Sequence, residues 1–300
     1  MSLPKGFVTV ATGKEQYYKI ARNLLRSYRF TTKEPLPFAV FCEQENEYTK
    51  EFDEVRVYPN ATRSYLDKLE MFDLLPFDIN IFIDADCLAF RDINRLFEIF
   101  EDADDFCCFG RVLPLDDKTG WFEYDNLNDE LKEKTNYVVG LHGGIYYMRR
   151  TEKCKAVFDC AKEFAENYAD YKFKGKFETP GDEPVVALSM AVNNCKPIVH
   201  DLTSIICYWE HENLFKVNIE KGTALSKDIQ ISTDIVHWGT RFTESLPYKK
   251  TMAALNLSLE NKSGIAITLS NIRYCVLTLF EQITKLCNRI INKIKRTFKK

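Results

Sequence analysis

The stretch NIFIDADCLAF, Asn80 to Phe90, sets an apolar run directly against two carboxylates. Ile81, Phe82 and Ile83 read as a buried strand; Asp84 and Asp86 follow at once with Ala85 between them, and apolar chain resumes at Leu88. An ionised carboxylate is costly to bury without a partner, so this pair must face water, a cation or both. One hard divalent cation, Mn²⁺ or Mg²⁺, can gather carboxylates at i and i+2 and still leave positions open for phosphate oxygens. A bare Asp-x-Asp is often no more than a solvated turn. The strand in front of this one implies a place at the rim of a sheet, where α/β proteins bind their ligands.

Working outward, GFVTVAT (Gly6–Thr12) reads as a first strand with a turn at Gly13. Apolar residues at Tyr17, Ile20, Ala21, Leu24, Leu25 and Tyr28 then keep a helical period. PFAVFC (Pro37–Cys42) and EVRVY (Glu54–Tyr58) read as strands, and SYLDKLEMFDLL (Ser64–Leu75) as a helix stopped by Pro76. Strands alternating with helices imply a mainly parallel sheet covered on both faces. Its rim then carries both Ala11 to Gly13 and Asp84 to Asp86. Further on, DFCCFGRV reads as a strand, Pro114 to Asn136 as a long loop or lid, and LHGGIYYMRR as a turn followed by a strand. A helix is expected from Thr151 to about Tyr168, another from Asp182, and a late strand ending at His237.

The 300 residues, 45% hydrophobic and 13% aromatic, hold ample material for a core. Net charge is −3, yet Ser263–Lys300 alone carries +7, leaving −10 for the residues before it. In that tail Ile272, Val276, Leu279, Ile283, Leu286, Ile290, Ile294 and Phe298 recur at three- and four-residue steps among Lys285, Arg289, Lys293, Lys295 and Arg296. Such a basic amphipathic helix suits an anionic membrane surface, or else the body of the protein or another subunit. The acidic body lacks a basic groove with interleaved aromatics, which argues against nucleic acid. Ten cysteines at irregular spacing, without Cys-x-x-Cys, read as free thiols of a reducing cytoplasm. The N-terminal apolar segment is too short for a signal peptide, and no apolar run is long enough to span a bilayer.

Five segments, taken in order, resemble the GT-A glycosyltransferases of the glycogenin and lipopolysaccharide galactosyltransferase group, glycosyltransferase family 8. They are FVTVAT with Tyr17, LDKLEMFDLLPFDINIFIDADCLAFRDI, HGGIYYMRR, PGDEPVVAL and IVHWGTR, across about residues 6 to 250. The resemblance implies a Rossmann-like mixed α/β sheet flanked by helices, as a catalytic domain over residues 1–258 with a basic tail over 259–300. By the same resemblance, Asp84, Asp86 and His237 would bind Mn²⁺ or Mg²⁺, and the metal would hold the diphosphate of a nucleotide sugar, UDP in the first place. Asp84 and the loop of Ala11, Thr12 and Gly13 with Tyr17 would also lie near the nucleoside, Ala85 would belong to the nucleotide-sugar site, and Lys68 would approach phosphate or ribose. Asp182 would hold donor-sugar hydroxyls, and Glu183 stands where the family has Gln beside the anomeric carbon.

The chain departs from the family at several points. His142 and Gly143, ahead of Gly144, replace the family's Asn and Ser/Ala, so sugar contacts there differ. The late motif is His237-Trp238-Gly239-Thr240-Arg241, one residue shorter to its Gly, and Arg241 is the candidate phosphate cation in place of Lys. The family retains configuration, so the resemblance implies a retaining transferase, but a carboxylate at Glu183 can act as nucleophile or base and so bears on the stereochemistry. Three functions therefore compete. The first is a metal-dependent hexosyltransferase acting on a saccharide or lipid-linked acceptor, cytoplasmic and peripheral on the inner membrane face through residues 263–300. The second is a catalytically idle nucleotide-sugar-binding subunit. The third is a haloacid-dehalogenase-type phosphatase, whose motif lacks its completing acid here. Tyr208, Trp209 and Trp238 are candidate acceptor-stacking aromatics or, equally, core.

Overall fold

The computed structural model describes residues 4–174, 180–199, 202–212, 215–262 and 264–297. His200, Asp201, Ser263 and Phe298 lie outside the described residues. Strands β1 (Lys5–Ala11), β2 (Phe38–Cys42), β3 (Glu54–Val57) and β4 (Ile79–Ile83) alternate with helices α1 (Glu15–Thr31) and α2 (Met71–Leu74). Strand β5 (Cys87–Ala89) and helix α3 (Leu96–Ile99) precede β6 (Phe106–Leu113), α4 (Asp129–Lys134) and β7 (Val138–Arg149). Then come α5 (Glu152–Glu166), α6 (Asp182–Val192), β8 (Ile198–Val199), β9 (Ile205–Cys207), β10 (Phe215–Asn218), β11 (Thr223–Ser226) and β12 (Ile231–Ser232). The chain closes with β13 (Ile235–His237), α7 (Leu246–Leu259) and α8 (Gly264–Thr297).

Among the described residues the main sheet has seven strands in the order β3-β2-β1-β4-β7-β6-β8. Strands β3, β2, β1 and β4 run parallel, as their alternation with helices requires, whereas β7 is antiparallel to both β4 and β6. The sheet is therefore mixed. Its two faces are buried by separate apolar layers. On one, α1 packs Leu24, Leu25 and Tyr28 against Phe7, Phe38 and Ile81; on the other, α5 and α6 pack Phe158, Val185 and Leu188 against Val8, Phe82 and Tyr146. Burial on both faces explains why Ile81-Phe82-Ile83 reads as a continuous apolar run rather than an alternating one.

Three expectations change in detail. Ser64–Leu75 is not one α-helix: Tyr65–Glu70 is a 3-10 turn that leads into the short α2. The Ser64 hydroxyl caps it by accepting from Leu66 N–H, while Asp67 is drawn off to Thr12 and to the backbone of Thr62 and Arg63. These competing side-chain bonds favour the tighter turn. His142-Gly143-Gly144 is no turn but part of the long strand β7, opposite an irregularity between Cys108 and Gly110 of β6. The Pro114–Asn136 loop is tied to the body by buried Phe122 and by Trp121, whose indole N–H donates to Leu141 O at 3.1 Å.

A small sheet, β5-β13-β9, lies beyond β4. Helix α7 and the start of α8 cover it, with Leu255 and Ile267 in one cluster with Leu88, Val236 and Trp238. Farther along α8, Leu269, Ile272, Val276, Leu279, Phe280 and Ile283 are exposed. No helix among the described residues is long and apolar enough to cross a membrane.

Candidate functional site

The site forms where β4 ends. Asp84 N–H donates to Gly144 O across from β7, and the chain then turns so that Cys87 N–H returns to Asp84 O. Strand β5 pairs antiparallel with β13, setting Cys87 opposite His237. This pairing carries the imidazole to the acidic turn: His237 Nε2 is 2.9 Å from Asp86 Oδ1 and 3.8 Å from Asp84 Oδ2. The Thr240 hydroxyl donates to Asp86 Oδ2 at 3.0 Å. Lys68, almost wholly buried, donates to Asp84 Oδ2 at 3.0 Å and to Asp182 Oδ2 at 3.2 Å. Tyr146 OH on β7 donates to the same Asp182 oxygen at 2.7 Å. Asp182 is thus gripped by side chains from two other elements, which goes beyond a role as an acid in the first turn of α6.

Glu183 is the next residue of that turn, and its Oε1 accepts Gly143 N–H at 2.8 Å. The irregular pairing of β7 turns this N–H away from the ladder and toward α6. Gly143 and Gly144 are glycines for want of room. A Cβ at Gly143 would lie 2.6 Å from Glu183 Cγ, and one at Gly144 would lie 2.7 Å from His142 Cε1 and 2.9 Å from His237 Nδ1.

Electrostatics follow from burial and proximity. Burial pushes the Asp84 carboxyl up, and Lys68 does not fully offset it. Burial would do the same to Asp86, but His237 and the Thr240 hydroxyl hold it below the usual carboxylate range. Burial opposes the charged form of His237, yet Asp86 beside it raises the imidazole well above its ordinary value. Burial, with Asp182 adjacent, pushes Glu183 up to about 7.

The residues suit a hard divalent ion. Four carboxyl groups, Asp84, Asp86, Asp182 and Glu183, gather around Lys68 and His237 at the end of β4. The 2.9 Å approach of His237 to Asp86 is an ion-pair distance rather than an aligned hydrogen bond. Asp86 Oδ1 and His237 Nδ1 are both buried without a hydrogen-bond partner. Surplus negative charge and the unpartnered Oδ1 of Asp86, faced by Nε2 of His237, match the donor set of Mn²⁺ or Mg²⁺.

The other sequence candidates divide. Ala11 ends β1, and the Thr12 hydroxyl donates to Asp67 Oδ2 at 2.7 Å. Gly13 adopts φ +85° and donates its N–H to Glu43 Oε2 at 2.6 Å, while Tyr17 lies half-buried in the first turn of α1. His142 projects from β7 with Nε2 2.9 Å from Cys207 Sγ. Arg241 is exposed and its guanidinium rests on the Phe242 ring, 4.5 Å from the centroid; its neighbour Thr240 is the one that reaches Asp86. Trp238 is fully buried and stacks on Tyr208 at 4.4 Å, so both are core. Trp209 is exposed and meets the His237 ring edge-on at 4.9 Å.

Sequence reasoning missed Asp67, Glu43, Tyr146, Thr240 and Cys207. Glu43 also pairs with Arg63 at 2.8 Å, so with Asp67 it locks the 62–64 loop to the Thr12–Gly13 turn. Thr240 had a signal, since it sits inside the late motif already singled out. Tyr146 had none, being one apolar-looking position in a core strand.

No protein-family model matches the chain, and no curated protein matches it. Solved structures do. The chain is similar to mouse xyloside xylosyltransferase 1 in its apo form, at 16% identity and TM-score 0.47, over 79% of this chain and 98% of that one. It is similar to the galactosyltransferase LgtC in complex with donor and acceptor sugar analogs, at 9% identity and TM-score 0.49, over 83% and 95%. It is also similar to the glycosyltransferase GlyE of Streptococcus pneumoniae TIGR4, at 12% identity and TM-score 0.45, over 78% of this chain and 54% of that one.

Proposed function

We propose that this chain is a metal-dependent glycosyltransferase of GT-A type that moves a hexose from a nucleotide sugar, a UDP-sugar, to a hydroxyl acceptor. The observation that carries this reading is the convergence of Asp84, Asp86 and His237 with the Lys68–Asp182 pair at the carboxyl end of β4. Asp84, Asp86 and His237 would hold Mn²⁺ or Mg²⁺. Bound there, the ion stabilises negative charge on a diphosphate leaving group.

The chain's own residues supply the rest. Lys68 adds a fixed cation at the metal side of the donor site, where charge develops as diphosphate departs. Asp182, its carboxylate held by Lys68 and Tyr146, presents a rigid acceptor to donor-sugar hydroxyls. Glu183 is tuned near neutrality, as a general base must be, and Gly143 N–H fixes its orientation. Ala11, Thr12, Gly13 and Tyr17 form the nucleoside side, braced by Asp67 and Glu43. Trp209 offers its exposed ring to a sugar acceptor beside His237. We further propose that α8 lies on an anionic cytoplasmic membrane face. Its exposed apolar positions and the basic residues of the tail are the supporting features, and a lipid-linked or lipopolysaccharide acceptor would meet the enzyme there.

The test is a screen for UDP release over several UDP-sugars, with and without Mn²⁺, using Asp86→Ala as control. Mn²⁺-dependent release with one sugar and an acceptor supports the reading, and the anomer of the product reports retention or inversion. UDP binding without turnover of any donor would make the protein an idle binder instead.

A further inference from the structure

His142, Cys207 and His237 form a second cluster on the far side of the His237 ring. Their ligand atoms all lie within 4.8 Å of one another. His142 projects from β7, Cys207 ends β9 and His237 ends β13, where Cys207 and His237 are register partners in the parallel pair. His142 Nε2 is 2.9 Å from Cys207 Sγ, and the two imidazoles meet edge to face with centroids 5.4 Å apart. His237 is buried and its Nδ1 has no hydrogen-bond partner. Its other nitrogen faces Asp86.

We propose that His142 Nε2, Cys207 Sγ and His237 Nδ1 form a site for a thiophilic divalent ion of the zinc class, back to back with the carboxylate site and sharing His237 with it. Two imidazoles and a thiolate are the donors such an ion selects over oxygen, and three protein ligands leave one position open. A histidine that binds metal through one nitrogen typically presents its other ring N–H to a carboxylate, and Asp86 occupies that place. The adjustment needed is small. A tetrahedral ion would part His142 Nε2 and Cys207 Sγ to roughly 3.5 Å. Gly144 N–H now donates to His142 Nδ1 at 3.2 Å; that bond is released when the ring proton moves to Nδ1 and Nε2 takes the metal. On binding, the Cys207 thiol and Nδ1 of the His237 imidazolium each give a proton to solvent, and Nε2 keeps its own against Asp86. The half-buried His142 side chain marks the way in.

Sharing His237 makes the two sites antagonistic. With zinc on Nδ1, Nε2 carries the ring proton and is lost as a ligand to a hard ion at Asp84 and Asp86. Only this consequence rests on the glycosyltransferase reading; occupancy of the cluster does not.

The test uses Co²⁺ as a spectroscopic stand-in for zinc on the full chain carrying Cys275→Ser and Cys287→Ser, which removes the two exposed thiols. One equivalent should give a thiolate-to-cobalt charge-transfer band with tetrahedral visible bands, bleached by Zn²⁺. The band should vanish in Cys207→Ser and separately in His142→Ala, each confirmed folded by circular dichroism, and persist in Asp86→Asn. In a companion titration, Zn²⁺ should weaken Mn²⁺ binding, read by electron paramagnetic resonance, at least roughly tenfold. Absence of the band, or its survival in Cys207→Ser, overturns the site. A site that forms without weakening Mn²⁺ binding overturns the antagonism alone.

Discussion

His237 Nε2 lies 2.9 Å from Asp86 Oδ1, although half the length of the chain separates them in sequence. The contact is made by backbone pairing: Cys87 stands opposite His237 in the β5–β13 ladder, so whatever holds that ladder holds the acid and the imidazole together. Trp238 N–H donates to Asp86 O at 3.1 Å and closes the same ladder one step on.

Asp86→Asn keeps the shape of the turn but removes the charge that raises His237. Mn²⁺ affinity measured by calorimetry should collapse, and metal-stimulated donor turnover should fall on the order of 100-fold or more. Chelation of the wild-type protein should reach the same floor. Unaltered Mn²⁺ affinity in this variant would remove the carboxylate pair from metal binding.

Lys68 is the cation between Asp84 and Asp182. Lys68→Met fills the same space without charge and strands the buried Asp182 carboxylate and the part-buried Asp84, which should cost about 3 kcal/mol in urea denaturation. Pairing it with Asp182→Asn should recover part of that loss. A double variant as unstable as the sum of the singles means that the two residues act independently.

Glu183 predicts a pH signature. Between the ordinary glutamate value of 4.5 and about 7, the folded chain keeps a proton that the unfolded chain has released. Stability therefore falls as pH rises through this window, and the loss is complete above it. Glu183→Gln retains the oxygen that accepts Gly143 N–H but cannot ionise. Its melting temperature should match wild type near pH 4 and exceed it above pH 7, by up to about 3 kcal/mol in stability. A constant difference across the range would show that the carboxyl does not titrate there.

Gly143→Ala should destabilise by about 1–3 kcal/mol, since the new methyl meets Glu183 Cγ at 2.6 Å. Gly143→Ala with Glu183→Ala should be milder than the sum, because the obstructing side chain is gone. Additive losses in thermal melts would place the strain in the backbone of β7 instead.

Ile267 packs with Leu255 in the body, so a truncation that tests the tail should begin after Ser270. A chain ending there should keep its melting temperature and its donor hydrolysis while losing sedimentation with vesicles rich in phosphatidylserine. Retained sedimentation would assign the exposed face of α8 to a different surface.

Local chemistry made much of this molecule legible. The apolar run Ile81–Ile83 gave a strand buried on both faces, and Asp84 with Asp86 had to lie at its mouth, because carboxylates cannot stay in that run. The helical period from Tyr17 to Tyr28, the Thr151 start of α5 and the Asp182 start of α6 were equally readable, since periodicity and first-turn residues are local signals. The 3-10 turn at Tyr65–Glu70 was not, because Asp67 chooses its partners among residues outside the segment. Nor was β7 as one long strand, whose glycines suggest a turn until β4, β6 and α6 close around them.

The sequence alone thus determined that two acids would sit at a strand end beside a core, since solvation penalties act on each residue where it stands. Only the tertiary structure decided their contacts: it set Lys68, His237 and, through Lys68, Asp182, which the motif order had suggested, against the pair, and added Tyr146, Thr240 and, behind His237, Cys207 and His142. Those partners come from separate elements, and no local rule of propensity or period states which of them folding will bring within 3 or 4 Å.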